Sequence, residues 1–348
     1  MLAAVLFLPV GADAVSARRA YAVDAVSGRV LYEKNPTERS LIASTTKIMT
    51  ALIVCEQCNV LDRMRIPKEA VGIEGSSMYL KEGEVLTLQE LLYGLMLSSG
   101  NDAAVALAIY CGGTVEGFAE LMNDKAHNLG LTGTHFENPN GLDSPGHYST
   151  AKDLGTLAAY AMENPIFYKT VSAKNVKVGE RYLTNHNKLL WRVAGADGVK
   201  TGFTKAAGRI LVSSATRDGR RIIAVTIDDP SDWSDHAALM EEGFSRYAIG
   251  RIVNQGDRVG TVEVVGGEKR RVEDFDYSVA PEEHPCLALP GPGFIYAPAV
   301  EGADAGVVYV LIEGKAVGKV PVVYGATIEQ TQPEEKSFWQ KLFHRGSG

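Results

Sequence analysis

Apolar and polar residues alternate along Tyr21-Ala22-Val23-Asp24 and Arg29-Val30-Leu31-Tyr32-Glu33, on either side of Ser27-Gly28. That period of two around a turn dipeptide predicts a β-hairpin. The pattern then changes. Residues 48–54 are apolar with almost no polar break, which predicts a helix buried on every face. Thr87-Leu88-Gln89-Glu90 has the form of a capping box, opening a helix whose apolar positions include Leu91, Leu92, Leu95 and Met96. A second apolar helix is expected over residues 103–110, ended by Gly112-Gly113. Asn138-Pro139-Asn140-Gly141 is turn chemistry, and Thr150-Ala151-Lys152-Asp153 suits the next helix start. Two β-rich runs, residues 210–215 and 222–227, flank Asp218-Gly219 and are expected to pair as a central hairpin, with a last helix around Gly243-Phe244. From about Arg251 only short alternating runs remain (residues 259–265, 307–312 and 317–323), separated by glycine, proline and charged turns. They predict a small all-β domain after an α/β one.

Three short motifs sit on these elements in a fixed order: Ser44-Thr45-Thr46-Lys47, Ser99-Gly100-Asn101 and Lys200-Thr201-Gly202. In the first, a hydroxyl and an amine lie one helical turn apart and project from one face. A serine hydroxyl is a weak nucleophile until a base takes its proton. Lys47 can be that base if burial and a second cation lower its pKa. Ser-x-x-Lys alone is a weak signal, and Ser149-x-x-Lys152 is a second copy. That copy overlaps a helix start and follows Ser99-Gly100-Asn101, so it fails on order and context.

On these three motifs the chain resembles the penicillin-recognising serine enzymes, in particular the low-molecular-mass D-alanyl-D-alanine carboxypeptidases. Residues 21–47, Asn138-Pro139-Asn140-Gly141-Leu142, residues 184–190 and residues 198–208 carry the same likeness. The resemblance implies an α/β, β-lactamase/transpeptidase-like fold, an antiparallel central sheet with helices on both faces, followed by a small all-β domain. It implies Ser44 as nucleophile, Lys47 as general base and Ser99 as relay to the leaving amine. Asn101 would orient the peptide, while Lys200 and Thr201 hold the terminal carboxylate. Gly202 would let the substrate backbone lie against the strand, and the N–H groups of Ser44 and Phe203 would form the oxyanion hole. Some members carry an arginine for that carboxylate after the Lys-Thr-Gly hairpin. Here the segment reads Asp232-Trp233-Ser234-Asp235-His236. Arg209 is the candidate replacement; the alternative is a strand position facing solvent.

The implied partners are peptidoglycan stem peptides ending in D-Ala-D-Ala, with β-lactams as inhibitors. A β-lactamase and a penicillin-binding sensor or scaffold with little turnover are the alternative functions. No cofactor is called for. Seven scattered histidines and the lack of a His-Glu-x-x-His or doubled Cys-x-x-Cys pattern suggest no metal. A net charge of −7 speaks against nucleic acid. The four cysteines, Cys55, Cys58, Cys111 and Cys286, require no disulfide, and Cys55-x-x-Cys58 reads as core and helix-end positions.

The expected domains are a leader (1–17), the serine peptidase domain (18–250), the β-rich domain (251–325), and a linker with a short amphipathic tail (326–348). The leader rests on the apolar run at residues 2–10 and small residues at Ala12, Ala14 and Ala17, and implies export. The tail places Phe338, Trp339, Leu342 and Phe343 on one helical stripe. That reads as a peripheral membrane helix, or else as a frayed end.

Overall fold

The computed structural model describes residues 15–254, 263–265, 270–272, 275–288, 294–296, 300–325 and 327. The leader residues before Val15 and the tail stripe lie outside the described residues. The chain divides into two compact units, Met1–Ala248 and Ile249–Gly348.

In the first unit β1 (Arg19–Asp24) and β2 (Val30–Lys34) form the expected hairpin. The helix α1 (Lys47–Gln57) is buried from Lys47 through Cys55. The short strands β3 (Arg63–Arg65) and β4 (Val85–Thr87) pair and lead into α2 (Leu88–Leu97). The Thr87–Glu90 capping box is complete in both directions. Then follow α3 (Asn101–Gly112), α4 (Val115–Asn128), α5 (Ala151–Ala161) and α6 (Pro165–Ser172). Thr150 caps α5 by accepting from Asp153 N, the role the turn sequence suggested. A small hairpin, β5 (Asn175–Val178) with β6 (Arg181–Thr184), and the short α7 (Leu189–Arg192) precede β7 (Ala196–Thr204), β8 (Gly208–Arg217) and β9 (Arg220–Ile227). The unit closes with α8 (Asp232–Arg246).

The central sheet has the order β2-β1-β9-β8-β7 and is antiparallel throughout. Alternation splits its side chains between two apolar layers. Val23, Ile210, Val212, Ile223 and Val225 join the large cluster built on α1, α2, α3 and α5. Ala20, Ala22, Ala215, Ile222 and Ala224 join Leu239 and Met240 of α8. Val15 and Ala17, assigned to the leader from sequence, pack in that second cluster. Ser16 beside them donates its backbone N–H to Asp235 (2.6 Å) and its hydroxyl to Asp229 (2.8 Å).

Cys58, at the end of α1, is disulfide-bonded to Cys111 of α3, while Cys55 stays a buried free thiol. The expectation that no disulfide is needed is corrected on this point. A separation of 53 residues carries no local signal, and helix packing brings the two Cα atoms to 6.8 Å.

The second unit is all β among its described residues: β10 (Ala248–Val253), β11 (Glu263–Val265), β12 (Arg270–Val272), β13 (Phe275–Val279), β14 (Cys286–Ala288), β15 (Phe294–Tyr296), β16 (Asp304–Ile312) and β17 (Lys315–Tyr324). Val308, Val310, Val320 and Val322 of β16 and β17 form its buried centre with Val253. Among the described residues no single helix is long and apolar enough to cross a membrane.

Candidate active site

Ser44 sits in a tight 3-10 turn, Ala43–Thr46, directly before α1. Ala43 has φ 43°, a left-handed conformation that a side chain adopts only under constraint. A Cβ at Gly141 (φ +85°) would collide with the Ala43 carbonyl, so the Asn-Pro-Asn-Gly turn packs directly under the nucleophile. His147 supports the same corner. Its Nδ1 accepts from Glu137 N (3.0 Å), so Nε2 carries the proton and donates to Thr46 Oγ1 (2.7 Å). Burial pushes this imidazole down to about 4 and keeps it neutral.

The Lys47 amine is fully buried, with three oxygen partners: Ser44 Oγ at 3.0 Å, Asn101 Oδ1 at 2.6 Å and the Asn140 carbonyl at 2.6 Å. Two of these can only accept. A neutral amine has two N–H bonds and one lone pair, so its hydrogens go to Asn101 and Asn140. The lone pair is left for the Ser44 hydroxyl. Burial first, and then the Lys200 cation, lower the Lys47 pKa well below the usual lysine value; Asp102 opposes them. Lys200 is equally buried, donates to its neighbour's Thr201 carbonyl (2.9 Å), and is lowered by burial to about 7.

Asn101 is the first residue of α3, with Gly100 as N-cap and no side-chain capping bond. Its side chain serves the site instead: Oδ1 takes the Lys47 proton donor, and Nδ2 donates to Glu74 O (2.5 Å). Ser99 is buried with φ 59° between α2 and α3, and lines the same cleft as Ser44. Asp102 holds the neighbouring loop by accepting from Ser77 Oγ (2.6 Å), Met78 N (3.0 Å) and Leu80 N (3.0 Å). Arg181 grips the same loop through Met78 O (2.7 Å), Tyr79 O (2.8 Å) and the Glu84 carboxylate (2.6 and 2.8 Å). Neither residue was singled out from sequence, because both act on a loop distant in the chain.

On the opposite wall β7 runs past Ser44. A Cβ on Gly202 would lie 3.3 Å from Ser44 N, Ile42 O and Thr45 Cγ2. A side chain there would press on the turn that carries the Ser44 amide. Ser44, Ser99, Thr201, Gly202, Phe203 and Arg209 line one cavity of about 370 Å³. Phe203 is 65% exposed at its rim. Arg209 stands across the ladder from Phe203 and faces this cavity, not bulk solvent alone. Ser76, His186, Lys188, Ile210, Asp232 and Trp233, absent from the sequence candidates, line it as well. Ser149 of the second Ser-x-x-Lys is a buried strand-bridge residue hydrogen-bonded to Thr134, remote in role from any cleft. Among the described residues no cluster of His, Cys, Asp or Glu could hold a metal.

A buried lysine whose lone pair meets a serine hydroxyl, with a second buried lysine near enough to lower its pKa, defines a serine acyl-transfer enzyme. The D-alanyl-D-alanine carboxypeptidase family model matches residues 8–231. The chain is 34% identical to D-alanyl-D-alanine carboxypeptidase DacF of Bacillus subtilis over 270 residues, 74% of this chain and 69% of that protein. It is 32% identical over 345 residues to DacC of Escherichia coli, covering 92% of this chain and 86% of the relative. Penicillin binding protein 5 from Haemophilus influenzae superposes with a TM-score of 0.80 at 28% identity, over 91% of this chain and 98% of that one. The chain belongs to the D-alanyl-D-alanine carboxypeptidase family and is a serine-type peptidase.

Proposed function

We propose that this enzyme removes the terminal D-alanine from peptidoglycan stem peptides ending in D-Ala-D-Ala. The observation that carries the reading is the Lys47 amine, 3.0 Å from Ser44 Oγ with its other two partners obligate acceptors. Ser44 Oγ attacks the carbonyl carbon of the penultimate residue while its proton passes to Lys47 Nζ. The oxyanion is met by the Ser44 and Phe203 amides. The C–N bond then breaks, the leaving nitrogen takes that proton from Lys47 through Ser99, and D-alanine leaves with Lys47 neutral again. Water, deprotonated by Lys47, adds to the Ser44 ester; its C–O bond breaks and Ser44 Oγ takes the proton back from Lys47. Asn101 orients the peptide, and Lys200, Thr201 and Arg209 receive the terminal carboxylate. A β-lactam enters by the same attack, but its amine stays tethered after ring opening, so the acyl-enzyme persists.

The enzyme works outside the cytoplasm on this reading. Val15 and Ala17 are 1% and 0% exposed inside the first unit, which favours a leader cut between Ala14 and Val15 over one after Ala17. The Phe338, Trp339, Leu342 and Phe343 stripe then anchors the protein peripherally to the membrane.

Incubation with a D-Ala-D-Ala peptide should release free D-alanine, and labelled penicillin should remain on Ser44 for minutes. Rapid penicillin turnover would mark a β-lactamase, and labelling without D-alanine release a sensor.

A further inference from the structure

We propose that the buried carboxylates Asp229 and Asp235 form a receptor for the chain's own α-ammonium group, created when the leader is cut before Val15. The premise is the leader cut proposed with export, not the carboxypeptidase activity. Ser16 lies between the two side chains. Its backbone N–H donates to Asp235 Oδ2 at 2.6 Å, and its hydroxyl is 2.8 Å from both Asp229 Oδ1 and Asp235 Oδ2. One hydroxyl proton serves only one of those oxygens at a time. Asp229 Oδ1 also accepts from Ser231 N (3.0 Å), whereas Asp229 Oδ2 is buried without any partner.

The pocket has two carboxylates and no cation. Asp229 and Asp235 are 1% and 7% exposed, and among the described residues neither is ion-paired. The charged groups on the neighbouring elements are engaged elsewhere. Lys34 of β2 directs its amine to the Val15 carbonyl (3.1 Å), and Arg18 and Arg19 both turn to Glu38. His236 of α8 is held neutral, because burial lowers it to about 3. A buried acid without a counter-charge is costly. Burial accordingly pushes the Asp229 carboxyl above its ordinary value, and the Asp235 charge adds to the rise.

The missing cation fits the position of Val15. Successive backbone nitrogens lie at most about 3.7 Å apart, which puts the Val15 nitrogen within about 6 Å of Asp235 Oδ2. In the uncut chain this nitrogen is an uncharged amide. After the cut it is an ammonium with three donors, at a range where opposite charges hold one another ionised. Val15 is anchored there: its side chain packs with Leu239 and Met240 of α8, and its carbonyl receives Lys34. The ammonium then completes a joint behind the catalytic cleft. Asp229 donates its backbone N–H to the Arg209 carbonyl (3.1 Å), and Asp232, three residues on, holds Arg209 Nη2 at 2.8 Å. A chain that keeps its leader lacks this charge and stays less stable, which suits a protein that crosses the membrane before it folds.

The test compares three purified forms: residues 15–348 with a free α-amine, the same chain acetylated at that amine alone, and the uncut chain. Each is also made as Asp229→Asn with Asp235→Asn. The α-amine of the folded 15–348 chain should titrate above about 9, against about 8 for a free chain end. At pH 7 this chain should melt about 3–6 °C above the acetylated and uncut forms. The α-amine pKa is raised on folding, so the advantage is complete below about 8 and is lost as pH rises through the folded-state value. In the double variant the three forms should melt together and the amine should return to about 8. Asp229→Asn alone serves if the double variant does not fold. An α-amine titrating at or below 8, or a melting advantage that survives in the asparagine variants, overturns the proposal through the site. A matured protein whose mass begins elsewhere than Val15 overturns it through the cut, a separate result.

Discussion

Replacing Lys200 by methionine should stabilise the protein while impairing its chemistry. The ordinary lysine pKa of 10.5 is lowered to about 7 by burial. At 1.36 kcal/mol per unit, keeping this side chain buried at pH 7 costs roughly 4 kcal/mol relative to the unfolded chain. Methionine keeps the apolar stem and loses the hydrogen bond to the Thr201 carbonyl, worth about 1 kcal/mol net. The balance is a gain of about 3 kcal/mol at pH 7, or roughly 6–12 °C in melting temperature for a unit of this size. Its sign with pH follows from proton counts. Between about 7 and 10.5 the unfolded chain holds the Lys200 proton and the folded chain does not, so wild-type stability rises with pH across that window. The advantage of Lys200→Met should therefore shrink toward zero near pH 10. Removing this cation also relieves Lys47, which adds to the gain. Thermal unfolding of both proteins at several pH values gives the comparison, using the transition that shifts on penicillin acylation. A variant less stable than wild type at pH 7, or a gain independent of pH, would refute the reasoning.

Ser44→Ala should abolish both penicillin labelling and D-alanine release with an unchanged melting temperature, because among the described residues the hydroxyl hydrogen-bonds to Lys47 alone. Gly141→Ala should destabilise by about 2–4 kcal/mol, since φ is +85° and the new Cβ meets the Ala43 carbonyl; acylation should slow as Asn140 shifts off Lys47, read by urea unfolding and stopped-flow labelling. On the proposed export, the intact mass of protein recovered outside the cytoplasm should match a chain beginning at Val15; a start at Arg18 would mean the packed Val15 and Ala17 are dispensable.

Elements carried by local pattern were legible in the sequence. The Thr87–Glu90 box, the buried Lys47 helix and the hairpin around Asp218-Gly219 each follow from residues within one turn or one ladder. The three catalytic motifs converge on one cleft, although nothing local indicates that Lys47 would reach Asn101, 54 positions away. What stayed hidden depends on partners far apart in the chain. The Asn140 carbonyl is a backbone atom without a sequence signature, and Asp102 is recognisable only once its loop donors surround it. Arg209 stood undecided between cleft and solvent until Asp232, 23 positions on, anchored it. The Cys58–Cys111 bond was invisible for the same reason. Asn101 shows the converse: as a helix-start residue it suited capping, yet Gly100 occupies the cap and frees its amide for Lys47.

An NMR titration of the Lys47 side chain, assigned by comparison with Lys47→Arg, tests most directly whether this amine is free to take the serine proton. Its midpoint should fall well below the ordinary lysine value of 10.5, and should rise in Lys200→Met once the neighbouring cation is gone. A midpoint at or above 10.5 would leave Ser44 without its base.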